Sequence, residues 1–174
     1  EKHSVDFELE YGKATIEIHK DSISKNDRVL IVDDLIATGG TAEAAAKLVE
    51  ISGGKVACFV FASAVSYLLN KPFIMLRKKD KLPADVHSVD FELEYGTATI
   101  QIHKDSINKN ENVLIIDDLI ATGGTAEAAA KLIQISKGKV SAFIFVIDLF
   151  DLNGANNLKK KGFSVESLME FPGH

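Results

Sequence analysis

Cysteine is almost absent. Cys58 is the only one in 174 residues, so no disulfide can form within the chain and a cytoplasmic setting is expected. It sits in the apolar run VACFVF, where a small buried hydrophobe is its expected role. Basic charge is in deficit too: 20 Lys and Arg against 25 Asp and Glu leave a net charge of −5 and a pI near 5.5. That balance argues against a general nucleic-acid or anionic-membrane partner, both of which reward a basic surface. Any phosphate must therefore be held by local groups. No apolar run approaches the ~18 residues that a membrane span requires, and there is no signal-peptide pattern, so no membrane partner is expected. The histidines (His3, His19, His87, His103 and His174) show no metal-ligand spacing, so no protein metal site is expected. Glu1 in place of Met points to a processed, tag-derived or incomplete start.

What the chain does have is a repeat. Residues 3–61 and 87–145 align at an offset of 84 and are identical at 47 of 59 positions. Solenoids need three or more repeats with atypical caps, so two long and nearly identical copies indicate a recent duplication or an engineered joining. With 46% hydrophobic and 26% charged residues, the composition suits one globular domain over 1–174 that can bury a core.

Both copies alternate in the manner of a β-hairpin: Val5, Phe7, Leu9 and Tyr11, then Ile16 and Ile18; Val89, Phe91, Leu93 and Tyr95, then Ile100 and Ile102. Each then runs into four consecutive apolar residues, 29–32 and 113–116, the pattern of a central parallel strand covered on both faces. Alanine-rich stretches at 41–52 and 125–136 predict helices. Closing strands follow at 55–61 and 139–146. Between the copies we expect a helix at 62–69, a strand at 72–76 and a charged loop at 77–83; the tail has a basic helix end at 159–161 and a strand at 164–168. Strands alternating with helices predict an α/β fold, a mainly parallel twisted sheet flanked by helices.

The chemistry concentrates in VLIIDDLIATGGT at 113–125. Asp117 and Asp118 are expected to end a strand, where ligands of open parallel sheets collect. Ala121, Thr122, Gly123, Gly124 and Thr125 follow as a tight loop at a helix start, where backbone N–H groups and hydroxyls can surround one phosphate. An adjacent carboxylate pair suits paired sugar hydroxyls better than a polyphosphate. Together they describe a sugar phosphate.

This run resembles the phosphoribosyl pyrophosphate (PRPP) motif of the type I phosphoribosyltransferases. RKKDKLP at 77–83, LEYGTATIQIHKDSI at 93–107 and LMEFPGH at 168–174 are similar to the adenine phosphoribosyltransferase branch, with continuous similarity from about residue 62 to 174. The resemblance implies a type I phosphoribosyltransferase-like fold with a β-hairpin lid. It also implies an enzyme that converts adenine and PRPP to AMP and pyrophosphate in purine salvage, with Mg2+ bound mainly through PRPP, as a homodimer. By motif match, Asp117 and Asp118 would hold the ribose hydroxyls and steady an oxocarbenium-like transition state. Ala121 to Thr125 would bind the 5′-phosphate, and Arg77 and Lys81 would help to bind pyrophosphate. Glu94, in the lid, would face the purine, and lid closure would exclude water.

The chain departs from the family at three places. The N-terminal hood with its Phe-Pro-Lys-Pro-Gly-like stretch is missing, and so is the Glu-Ser/Ala-Arg-Gly turn that grips pyrophosphate. Asp80 stands where the family usually carries glycine. The first copy thus takes the place of the N-terminal part. It keeps Asp33, Asp34, Ala37, Thr38, Gly39, Gly40 and Thr41, but no basic loop precedes it. Copy two is the better site, and copy one a weak second candidate for phosphate. The alternative function is a non-catalytic phosphate- or PRPP-binding scaffold made by recombination or engineering.

Overall fold

A computed structural model describes residues 1–9, 12–33, 39–60, 62–93 and 96–173. The side chains of Leu9, Val32, Cys58, Phe59, Val60 and Leu93 lie outside the description, as do the site candidates Asp34, Ala37, Thr38 and Glu94. The chain divides into two compact units, Glu1–Lys71 and Pro72–His174, each holding one copy of the repeat.

In the first unit, β1 (Lys2–Leu9) and β2 (Gly12–His19) form the antiparallel hairpin. Strand β3 (Arg28–Val32) leads toward α1 (Gly40–Ile51), and β4 (Lys55–Val60) returns parallel to β3. Helix α2 (Ala62–Leu69) follows over the predicted residues. Among the described residues of this unit the buried apolar ones are Ala44, Leu48 and Val49, all on α1.

The second unit repeats the plan and extends it. A short β5 (Arg77–Lys78) pairs with β7 (Gly96–His103), which pairs in turn with β6 (Val86–Leu93). Strand β8 (Asn112–Ile120), α3 (Gly124–Ile135) and β9 (Lys139–Leu149) form the parallel β-α-β unit. After a 3-10 turn at Phe150–Leu152 come α4 (Gly154–Lys160) and β10 (Val165–Phe171), giving a parallel sheet in the order β10-β9-β8.

The fold is α/β, as expected, but three local readings change. Residues 72–76 are not a strand; Ile74 and Leu76 instead pack against the core, and the strand falls on Arg77–Lys78 in the stretch read as a loop. Strand β8 does not end at the carboxylates, because its register with β9 continues through Leu119↔Ile147 and Ile120↔Asp148. Among the described strands the central one is β9, not β8, so Leu114 and Leu119 remain 40% and 37% exposed instead of being covered on both faces.

The core of this unit joins hairpin, helix and sheet: Ile100 and Ile102 from β7, Ala126, Ala129, Leu132 and Ile133 from α3, and Phe143, Phe145, Leu158 and Val165 from the sheet and α4. Phe143 stacks with Phe145 and meets Phe163 edge-on at a ring separation of 5.3 Å. Burying a side chain the size of Ile or Phe contributes roughly 1.5–3 kcal/mol, so this cluster holds the elements around the cleft in place.

Candidate active site

At the carboxyl end of β8 and β9 lies a cleft of about 540 Å³. Asp117, Leu119 and Ile120 of β8 line it, with the loop Ala121, Thr122, Gly123, Gly124 and Thr125, and with Phe145, Leu149, Leu152 and Gly173. The loop geometry follows from its glycines. Gly123, at φ 90°, takes the left-handed conformation that ends the loop and begins α3. Among the described residues no side chain caps this helix, which leaves its first-turn N–H groups suited to a ligand or water. Gly124 lets β6 approach: a Cβ there would stand 3.0 Å from the Glu92 carbonyl oxygen.

Strand alternation separates the two carboxylates. Asp117 is half-buried on the cleft wall and shares a face with Ile115 and Leu119. Asp118 is exposed, is not among the lining residues, and donates its backbone N–H to Asp117 Oδ1 at 3.1 Å. A pair at a strand end could converge on one sugar; inside a strand, only Asp117 reaches this cleft.

Arg77 and Lys81 are not among the lining residues either. Their stretch is tied to the hairpin: Arg77 is opposite Gln101, Lys79 N–H donates to the Thr99 carbonyl at 3.1 Å, and Asp80 N–H donates to Gln101 Oε1 at 3.0 Å. Asp80 has a φ of 63°, the left-handed region that glycine enters without strain and that Asp tolerates better than most residues. Gln101 is buried, and its amide also donates to Ser88 Oγ at 3.0 Å.

In the first unit, Asp33 follows β3, and Gly39, Gly40 and Thr41 begin α1 with the same left-handed φ (87° at Gly39) and no side-chain cap among the described residues. The cleft beside α1, of about 400 Å³, is walled by Val5, Asp6, Phe7, Glu8, Gly40, Glu43, Ala44 and Lys47. Of the described copy-one candidates, Asp33, Gly39, Gly40 and Thr41, only Gly40 lines it, beside three carboxylates that oppose an anion.

Sequence reasoning missed the wall formed by Phe145, Leu149, Leu152 and Gly173. The turn signal Asn153-Gly154 marked a reversal there, but nothing local says that it returns to the loop after β8.

The family model described as Phosphoribosyl transferase domain matches residues 2–58 and again 53–166. The chain belongs to the phosphoribosyltransferase family. Within this family it is 75% identical over 116 residues to an adenine phosphoribosyltransferase of Pelagibacter ubique, covering 67% of this chain and 66% of that one. To the adenine phosphoribosyltransferase of Salmonella typhi it is 45% identical over 129 residues, 74% of this chain and 70% of that one. The matched part thus spans about two thirds of these phosphoribosyltransferases. A crystal structure of adenine phosphoribosyltransferase from Thermoanaerobacter pseudethanolicus superposes with a TM-score of 0.60 at 32% identity, covering 87% of this chain and 73% of that one.

Proposed function

We propose that the second unit transfers the 5-phosphoribosyl group from PRPP to adenine, giving AMP and pyrophosphate, a purine-salvage reaction. The observation that carries this reading is the convergence of Asp117 with Ala121, Thr122, Gly123, Gly124 and Thr125 on one cleft at the carboxyl end of a parallel sheet, beside kinship with adenine phosphoribosyltransferases. The loop amides and hydroxyls would hold the 5′-phosphate. Asp117 would accept hydrogen bonds from the ribose hydroxyls and place negative charge near C1′ as its bond to pyrophosphate breaks and its bond to adenine N9 forms. Asp118, Arg77 and Lys81 would act from outside this wall, and Glu94 would face the base; these roles rest on motif match.

Magnesium fits as a partner of the substrate. Among the described residues no three His, Cys, Asp or Glu converge, and Mg2+ typically takes one or two carboxylates with substrate phosphates and water. Asp117 is the carboxylate of the cleft wall suited to that arrangement. When bound, the ion would neutralise charge on the leaving pyrophosphate.

We also propose that the first copy stands where the family keeps its hood and pyrophosphate turn, that 1–174 works as one enzyme, and that it is a cytoplasmic homodimer. No helix among the described residues is long and apolar enough to cross a membrane. Adenine-dependent release of pyrophosphate from PRPP by the full chain, abolished by Asp117→Asn together with Asp118→Asn, tests the enzymatic reading. The placing of Arg77 and Lys81 outside the cleft wall favours a second one, a non-catalytic phosphate-binding scaffold. Tight PRPP binding without turnover would establish that instead.

A further inference from the structure

The loop 121–125 is braced by a residue far along the chain. Gly154, the first residue of α4, donates its N–H to the Ala121 carbonyl oxygen at 3.1 Å. A Cβ on Gly154 would collide with that oxygen, and would lie 2.8 Å from the Gly123 nitrogen and 2.9 Å from Ile120 Cγ1. The approach is mutual, since a Cβ on Gly123 would stand 3.2 Å from the Gly154 Cα. Two backbones meet here with no room for a side chain on either.

Gly154 is not itself on the cleft wall. Its hydrogen bond therefore commits the Ala121 carbonyl, a partial negative charge, to the scaffold, and leaves the amides that follow for an anion. In the first copy Gly39 has nearly the same φ, 87° against 90°, yet a Cβ there would meet nothing within 4 Å among the described residues. In that copy the element described after β4 is α2, where the second copy instead extends β9 to Leu149 and turns at 150–152.

We propose that Gly154 is a positioning residue for the phosphate loop: by close contact with Gly123 and its bond to the Ala121 carbonyl, it holds 121–125 in the conformation that presents amides to a 5′-phosphate. The proposal rests on the phosphoribosyl reading and assigns the brace to copy two.

The test uses the full chain, ribose 5-phosphate as the probe, and two variants. Gly154→Ala adds the colliding carbon. Replacement of Gly154 by glycolic acid, an amide-to-ester change, deletes the N–H without adding bulk. Calorimetric titration is expected to show ribose 5-phosphate binding weakened at least tenfold by Gly154→Ala and at least threefold by the ester. In both, amides 122–125 exchange hydrogen at least tenfold faster, while amides 128–133 of α3 keep their rates. Binding within twofold of the parent by folded Gly154→Ala, or unchanged loop exchange in the ester, overturns the proposal. If Gly154→Ala does not fold, the ester decides. A parent chain that fails to bind ribose 5-phosphate refutes the phosphoribosyl reading, while exchange still decides the brace.

Discussion

The two hairpins carry nearly the same residues on the same strands, yet Ile18 is half-buried in β2 where its counterpart Ile102 is fully enclosed in β7. The helices differ in the same way: Ala44, Leu48 and Val49 are buried on α1, whereas α3 buries Ala126, Ala128, Ala129, Ala130, Leu132 and Ile133. What differs is the chain around them. The second unit adds Ile74 and Leu76 before the hairpin, and Leu158, Phe163 and Val165 after β9, all packed on one cluster.

Charge follows burial. Glu17 on β2 is exposed, and its bonds from Lys2 and Ser4 hold its carboxyl below the usual range. The equivalent residue on β7 is Gln101, buried, neutral, and engaged as both donor and acceptor. Carboxylate could not donate to Ser88, and its charge would be costly in that place. Similarly, Glu43 pairs with Lys47 on its own helix, while Glu127 reaches Lys161 beyond α4.

The sharpest way to break this comparison is in the carboxylates. Asp117→Asn is expected to lower the rate of AMP formation by ~10²–10³-fold, the usual effect of removing one electrostatic contact to a transition state. Asp33→Asn should leave it within about twofold. Equal losses in a pyrophosphate-release assay would mean that both copies work.

Next in size is the core. Ile102→Ala should cost ~2–5 kcal/mol in urea unfolding, from lost burial plus a cavity. Ile18→Ala should cost less than half as much, because its site is already open to solvent. Gln101→Glu should cost ~1–3 kcal/mol by placing a charge where the side chain is buried, whereas Glu17→Gln should barely move the midpoint.

The smallest effect concerns Asp148, buried on β9 with no hydrogen bond to Oδ1 among the described residues. Its burial, then Glu170 opposite, raise its pKa above the ordinary 3.8, and Lys159 only partly offsets them. The folded state then holds its proton more tightly than the unfolded chain. Stability from this group is present below pH 3.8 and is lost as pH rises through the folded pKa. Asp148→Asn should therefore raise the thermal midpoint at neutral pH by a small amount that shrinks at low pH; a pH-independent difference would exclude this cause.

Much of the fold was legible locally. Alternation located both hairpins, alanine-rich runs located α1 and α3, and the α2 residues were predicted as observed. The loop of the candidate site was legible from its glycines, and Asp117 from its place at the end of an apolar run. Where Asp118 sits was not legible, because nothing in DDLI says that pairing with β9 continues past the carboxylates. The short β5 was hidden among charges, since its partner lies more than twenty residues away.

The sequence alone determined the repeat, the α/β order of elements, the glycine loop and the kinship they signal, because these depend on near neighbours and on a 3.6- or two-residue period. The tertiary structure decided how the loop at 121–125 meets Gly154, which of Asp117 and Asp118 faces the cleft, and which isoleucine is enclosed. Those outcomes depend on contacts between distant segments, where Gly154 meets Gly123 and where β10 and α4 close the core. Two nearly identical stretches can differ in how deeply they are enclosed, because burial belongs to the surroundings rather than to the residues themselves.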